Sequence, residues 1–141
     1  VDGDVYQVGG LTIKCMGPYK LEQGGNCNYD SLNFLMQFGT TRILMTGDYI
    51  HKEILKSYGE ELKNIDVYKM AHHGLKVSDY CGNSDVLSHL NPQVILVPAN
   101  SSSPTQDLVE TFNLSSKIYD NKNGNIKIIS NGNSVSVTTE K

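Results

Sequence analysis

At 141 residues the chain is sized for one domain. Apolar residues make up 38% and charged residues 19%, a globular composition that argues against disorder and fibrous structure. The 12 basic and 15 acidic residues leave a net charge of −3 with no cluster of Lys or Arg, so charge does not support strong non-specific nucleic-acid binding.

The longest apolar runs, such as Ile43 to Met45 and Val94 to Pro98, are far too short to cross a bilayer. The start, VDGDVYQVGG, is neither basic nor apolar, so these residues are expected to hold neither a signal peptide nor a membrane span. Cys15, Cys27 and Cys81 show no CxxC spacing, and neither a disulfide framework nor a thiolate zinc site is expected.

After a polar start, Leu11 to Met16 alternates apolar and polar residues and is closed by Gly17-Pro18, which reads as the first strand and a turn. Tyr19 to Tyr29 has no periodicity and reads as a loop. Ser31 to Phe38 and Thr41 to Thr46 have strand composition and are joined by Gly39-Thr40, a hairpin pattern. His51 to Tyr58, stopped by Gly59, fits a short amphipathic helix with a glycine cap. Ile65 to Ala71 then reads as a buried strand that delivers His72, His73 and Gly74 to the rim of a sheet. A helix is expected from an Asn83 or Ser84 cap to Asn91-Pro92.

Gln93 to Pro98 is too apolar to be half exposed and reads as a central strand covered on both faces. Ser103 to Gln106 has the residues of a capping box and opens a helix to about Asn113. Lys117 to Tyr119 reads as a short strand. Asn125 to Ser130 and Ser134 to Thr138 flank Asn131-Gly132, which predicts a closing β-hairpin with a two-residue turn. Strands followed by alternating strands and helices predict an α/β layer on a mixed sheet.

Three polar points fall at the ends of these core strands or just before them: Asn28 with Asp30, then Asp48, then His72 with His73. They meet at one sheet edge if the strand after Asp30 is antiparallel to the strand before Asp48, and if the strand before His72 is parallel to it. A carboxylate and imidazoles around one point suit Zn²⁺, Mn²⁺ or Fe²⁺. His51 and His89 fall in predicted helices and read as surface residues; Tyr68 reads as a packing group.

The order NYDSLNFLMQFGTTRILMTGD, a helix, DVYKMAHHG, NPQVILVPAN and YDNKNGNIKIISNG resembles the C-terminal half of metallo-β-lactamase-fold hydrolases. It looks most like the branch holding the hydrolase domain of competence-type DNA-uptake channels and the bacterial phosphorylcholine esterases. The resemblance runs from about Asp4 to Gly132. It implies half of an αββα fold: a mixed β-sheet with helices on one face and a C-terminal hairpin. It also implies a di-zinc type hydrolase of phosphodiesters or related esters, with Mn or Fe as substitutes.

By the resemblance, Asp48 matches the carboxylate that bridges two metal ions, and one of the two histidines, His73 in preference to His72, matches the imidazole that completes the second. His72 would face the substrate and stabilise charge on a phosphoryl or acyl oxygen. Asn28 sits where this branch carries Asn in place of a histidine, as a weak ligand or a group behind the ligands. The superfamily's HxHxDH cluster is not in this sequence, Ser103-Pro104 stands for the usual His-Pro, and Leu75 stands where Ser is typical. The chain is therefore expected to supply part of a site, to hold metal weakly or not at all, and to be inactive alone. Its uncovered apolar sheet face is expected to meet the N-terminal half of the same fold or a second copy. The alternative is a non-catalytic binding or assembly module with this fold and no working metal site.

Overall fold

The computed structural model describes residues 2–18, 27–50, 52–74, 84–99 and 116–140. The expected helix over Ser103 to Asn113, His51, Leu75, and most of the expected loops over Tyr19 to Tyr29 and after the histidines lie outside the described residues. Strand β1 (Val5–Val8) is followed by β2 (Leu11–Met16), β3 (Asn33–Phe38) and β4 (Thr41–Thr46). Next come helix α1 (Lys52–Ser57), β5 (Val67–Lys69), α2 (Ser84–Leu90), β6 (Val94–Val97) and β7 (Lys117–Asp120). The described chain ends in β8 (Asn125–Ser130) and β9 (Val135–Glu140).

The first seven strands form one mixed sheet in the order β1-β2-β3-β4-β5-β6-β7, and β8 with β9 forms a separate hairpin. The pairs from β1 to β4 are antiparallel and those from β4 to β7 parallel. Tight turns explain two of the three antiparallel pairs, β1–β2 and β3–β4. Gly9-Gly10 and Gly39-Thr40 are two-residue connections, with Gly9 at φ 59° and Gly39 at φ 58°, conformations that glycine adopts without steric cost.

The strands present two faces of different character. Leu35, Leu44, Tyr68 and Ile95 are cross-strand partners in one row, all 4% exposed or less. Ile54 of α1, Leu62, and Val86, Leu87 and Leu90 of α2 join them in one buried cluster, so the helices lie on this face. Tyr68 is thus a packing group. Removing such rows of aliphatic and aromatic side chains from water is the main force holding the layers together.

The other face carries Leu11, Ile13, Phe34, Met36, Ile43, Met45 and Leu96, half-buried, with Tyr6 54%, Val8 63% and Phe38 40% exposed. The β8–β9 hairpin reaches it: Thr40 N donates to the Gly132 carbonyl at 2.7 Å, and the Thr41 and Ser130 hydroxyls lie 2.6 Å apart. Gly39 fits there because an added Cβ would collide with the Gly132 carbonyl.

Three sequence expectations change. The polar start contains β1, an edge strand whose four residues are all exposed; with no buried side, it carries no burial pattern, though Gly9-Gly10 is itself a hairpin signal. The strand expected over Ile65 to Ala71 narrows to β5, since Ala71 to Gly74 turns away from the sheet. The closing hairpin has a four-residue connection, Asn131 to Ser134, because the Asn131 side-chain oxygen accepts from the amides of Asn133 and Ser134 at 2.9 Å. Among the described residues no helix is long and apolar enough to cross a membrane.

Tyr58, after α1, ties the start of the chain to the helix layer. Its hydroxyl donates to Asp2 Oδ1 at 2.9 Å, and Gly17 N donates to the same oxygen at 2.8 Å. Burial, then the Asp2 carboxylate, pushes the Tyr58 phenol up to about 12. An unfolded tyrosine ionises near pH ~10, so this bond's stabilisation is present below that value and lost as pH rises towards 12. Alkaline unfolding followed by circular dichroism should show a fall in stability across that window, and Tyr58→Phe should flatten it.

Candidate metal and substrate edge

Asp48 and the histidines owe their common position to strand direction. Because β3 is antiparallel to β4 and β5 parallel to β4, the start of β3, the end of β4 and the end of β5 share one rim. Asn28 in the turn Cys27–Asp30, Asp48 after β4, and His72-His73 after β5 therefore collect there, as the sequence predicts.

Two cross-links fix the strand ends just before the rim. The Thr46 hydroxyl donates to the Lys69 carbonyl at 2.6 Å, and Lys69 Nζ donates back to the Thr46 carbonyl at 2.6 Å. The backbone then curls sharply: His72 sits at φ 46° and His73 at φ 56°, with Gly74 at φ 72°. Left-handed backbone is uncommon outside glycine, and two successive histidines in it make this turn a strained one.

His73 is held by its own ring. Nδ1 lies 3.1 Å from the Pro98 carbonyl at the end of β6. A carbonyl only accepts, so Nδ1 carries the proton and neutral His73 keeps its lone pair on Nε2. Nε2 is 3.8 Å from Asp48 Oδ1, with the two side chains 54% and 39% exposed. That separation is beyond a hydrogen bond and near the span of two donors sharing one ion, about 3.4 Å for tetrahedral bonds of about 2.1 Å. A backbone carbonyl behind a histidine is also the usual way in which a ligand imidazole is oriented.

His72 is half-buried, its ring centroid 6.4 Å from that of His73 and tilted by 53°. Asn28 is half-buried at the same rim, and its carbonyl accepts from Ser31 N at 3.2 Å. Among the described residues no three His, Cys, Asp or Glu side chains converge on one point; Asp48 and His73 are the pair that approach one another here.

His89 departs from its expected surface role. It is half-buried, and Nε2 lies 2.8 Å from the Gly59 carbonyl, joining α2 to the turn after α1. Sequence reasoning also passed over Ser31, whose hydroxyl accepts from Asp48 N at 2.9 Å and from Tyr49 N at 3.2 Å. Its only signal was a small hydroxyl residue at the head of a strand.

The ring geometry yields a direct check: ¹⁵N spectra of the neutral His73 ring should show the Nδ1–H tautomer, the minor form in free histidine. A dominant Nε2–H signal would contradict the Pro98 hydrogen bond.

No protein-family model matches the chain, and no curated protein does. Solved structures do. A protein from Parabacteroides distasonis described as a metal-dependent hydrolase matches with a TM-score of 0.54 and 13% identity, over 84% of this chain and 55% of its own. A Zn-dependent hydrolase of the metallo-β-lactamase superfamily from Thermotoga maritima matches with a TM-score of 0.54 and 17% identity, over 85% of this chain and 69% of its own. The chain thus spans about half of the first neighbour's length. With the mixed sheet, the helices on one face and the closing hairpin, these matches show that the chain has the fold of metal-dependent hydrolases of the metallo-β-lactamase superfamily.

Proposed function

We propose that this chain forms one side of a metal-dependent hydrolase site, in which Asp48 and His73 donate to a divalent ion and His72 faces the substrate. The observation that carries this reading is the His73 ring, with Nδ1 engaged by the Pro98 carbonyl and Nε2 standing 3.8 Å from Asp48 Oδ1. One carboxylate oxygen and one imidazole nitrogen form a borderline donor pair suited to zinc, manganese or iron. Zinc, as a pair of ions, is the assignment we favour; Asp48 and His73 would hold it, and Asn28 would be a weak ligand or a support.

When bound, such an ion polarises an ester and makes water acidic enough to act as a nucleophile near neutral pH. The chain's own residues supply the rest. Asp48 offers anionic oxygen at the rim, Pro98 keeps the His73 proton on Nδ1, and His72, its ring centroid 6.4 Å from that of His73, would supply an N–H donor to a developing oxyanion. We take the substrate to be a phosphodiester or related ester and the branch to be that of the competence-type and phosphorylcholine esterase hydrolases; the motif order TGD, then AHHG, supports both. Since the chain spans 55% of one neighbour, further ligands would come from an HxHxDH half.

Zinc titration of this chain, followed by its histidine resonances, should show weak uptake that Asp48→Ala and His73→Ala each abolish. In a protein holding both halves of the fold, Asp48→Ala should lower phosphodiester hydrolysis by about 100-fold or more, a loss of about 2.7 kcal/mol in transition-state binding. Activity that survives this change would sink the proposal. A non-catalytic module is the second reading, motivated by Ser103-Pro104 and Leu75 standing where the family carries His-Pro and Ser. Stoichiometric metal in the purified protein would count against it.

We further infer that the sheet face bearing Val8, Tyr6 and Phe38 is covered by the N-terminal half of the same fold or by a second copy of the chain. Apolar patches of this kind are unusual on monomers. Sedimentation should reveal self-association of the isolated chain, with a fluorescent apolar dye binding any monomer; a stable monomer that binds no dye would contradict the inference.

A further inference from the structure

We propose that Ser31 is the positioning residue of Asp48, and that its hydroxyl, paired with Gly47, aims the carboxylate at His73. This rests on the reading of Asp48 and His73 as metal donors. Among the described residues the Asp48 carboxylate has one polar neighbour, His73 Nε2 at 3.8 Å, too far for a hydrogen bond. The Asp48 backbone amide, by contrast, is held directly, by the Ser31 hydroxyl.

That backbone is a continuation of the β3–β4 pairing in which a side chain takes over. Thr46 is the last register partner of Asn33, and Gly47 N then donates to the Leu32 carbonyl at 3.1 Å. One step further the Ser31 hydroxyl oxygen accepts two successive amides, Asp48 N at 2.9 Å and Tyr49 N at 3.2 Å. A hydroxyl oxygen has two lone pairs, so one serine can serve both. A backbone carbonyl in ladder register would take one amide and carry the strand straight on. Two amides converging on one oxygen instead bend the chain at Asp48, turning it out of the sheet at the rim.

Gly47 makes the approach possible. A Cβ there would lie 2.8 Å from both Cβ and Oγ of Ser31, closer than real side chains come. The glycine before Asp48 is thus a space requirement of the serine rather than a turn requirement. The Tyr29 ring packs edge-on against Tyr49, with centroids 4.8 Å apart and planes at 73°, and so fastens the turn that carries Asn28 to the same segment.

The test uses the 141-residue chain with Ser31→Ala, Ser31→Thr and Asp48→Ala. Metal-free amide exchange should quicken at least about tenfold at Asp48 and Tyr49 in Ser31→Ala and return towards wild type in Ser31→Thr, which keeps the hydroxyl. Loss of such a supporting hydrogen bond typically weakens a metal site about 10–100-fold, so zinc affinity should fall by that factor in Ser31→Ala with little change in melting temperature. Gly47→Ala, which presses on the same hydroxyl, should reproduce both effects and serves if Ser31→Ala does not fold.

Unchanged exchange at both amides would overturn the proposal, as would a loss of zinc affinity that threonine does not restore. Should neither the wild-type chain nor a protein holding both halves of the fold take up zinc, the metal reading fails, and the exchange measurement still decides the role of Ser31.

Discussion

Strand β4 is the hinge of this architecture. It pairs antiparallel with β3 on one side and parallel with β5 on the other, and no other strand has neighbours of both kinds. That single change of direction brings the entry to β3 and the exits of β4 and β5 to a common rim. Parallel exits need crossovers, and here the crossovers carry α1 and α2 back over one face. Had β5 run antiparallel to β4, the two histidines would sit at the far end of the sheet from Asp48.

The two faces of the sheet answer to different demands. On the helix side, cross-strand rows of Leu, Tyr and Ile meet aliphatic residues from both helices and are closed to water. On the other side, the same alternation produces apolar rows, but the two-stranded hairpin meets them only in part. An apolar face of this breadth is built to meet another apolar layer, as in sandwiches where two sheets pack face to face.

Much of the fold was legible in the sequence because the strands in its centre are apolar enough, and its turns glycine-rich enough, to be read locally. Leu11 to Met16, Thr41 to Thr46 and the pair around Asn131-Gly132 all form strands. The strand β1 was not legible, since periodicity reports burial and an edge strand exposed on both faces has none. The four-residue closing turn was hidden by the Asn131 side chain, which can imitate a backbone acceptor and lengthen a loop that the dipeptide alone makes look short.

The candidate site was read from the sequence as a set of residues and not as a set of supports. Asp48, His72 and His73 stand out by chemistry and by their place after apolar runs. Pro98 acts through its carbonyl, an atom every residue has, and Ser31 acts on a loop 17 positions away, so neither leaves a mark in composition or spacing. His89 shows the converse: its place in a predicted helix read as surface, and a backbone carbonyl from another element holds its ring.

Sheet order equals chain order across all seven strands, so every pairing in the main sheet joins elements that are neighbours in sequence. The entropy of closing a loop grows with its length, and here each strand adds to the last across a short or moderate gap. Only the link from Thr40 and Thr41 to Gly132 and Ser130 spans about ninety residues. The sheet can thus grow outward step by step from the β3–β4 hairpin as the chain emerges, with the closing hairpin as a clasp set last.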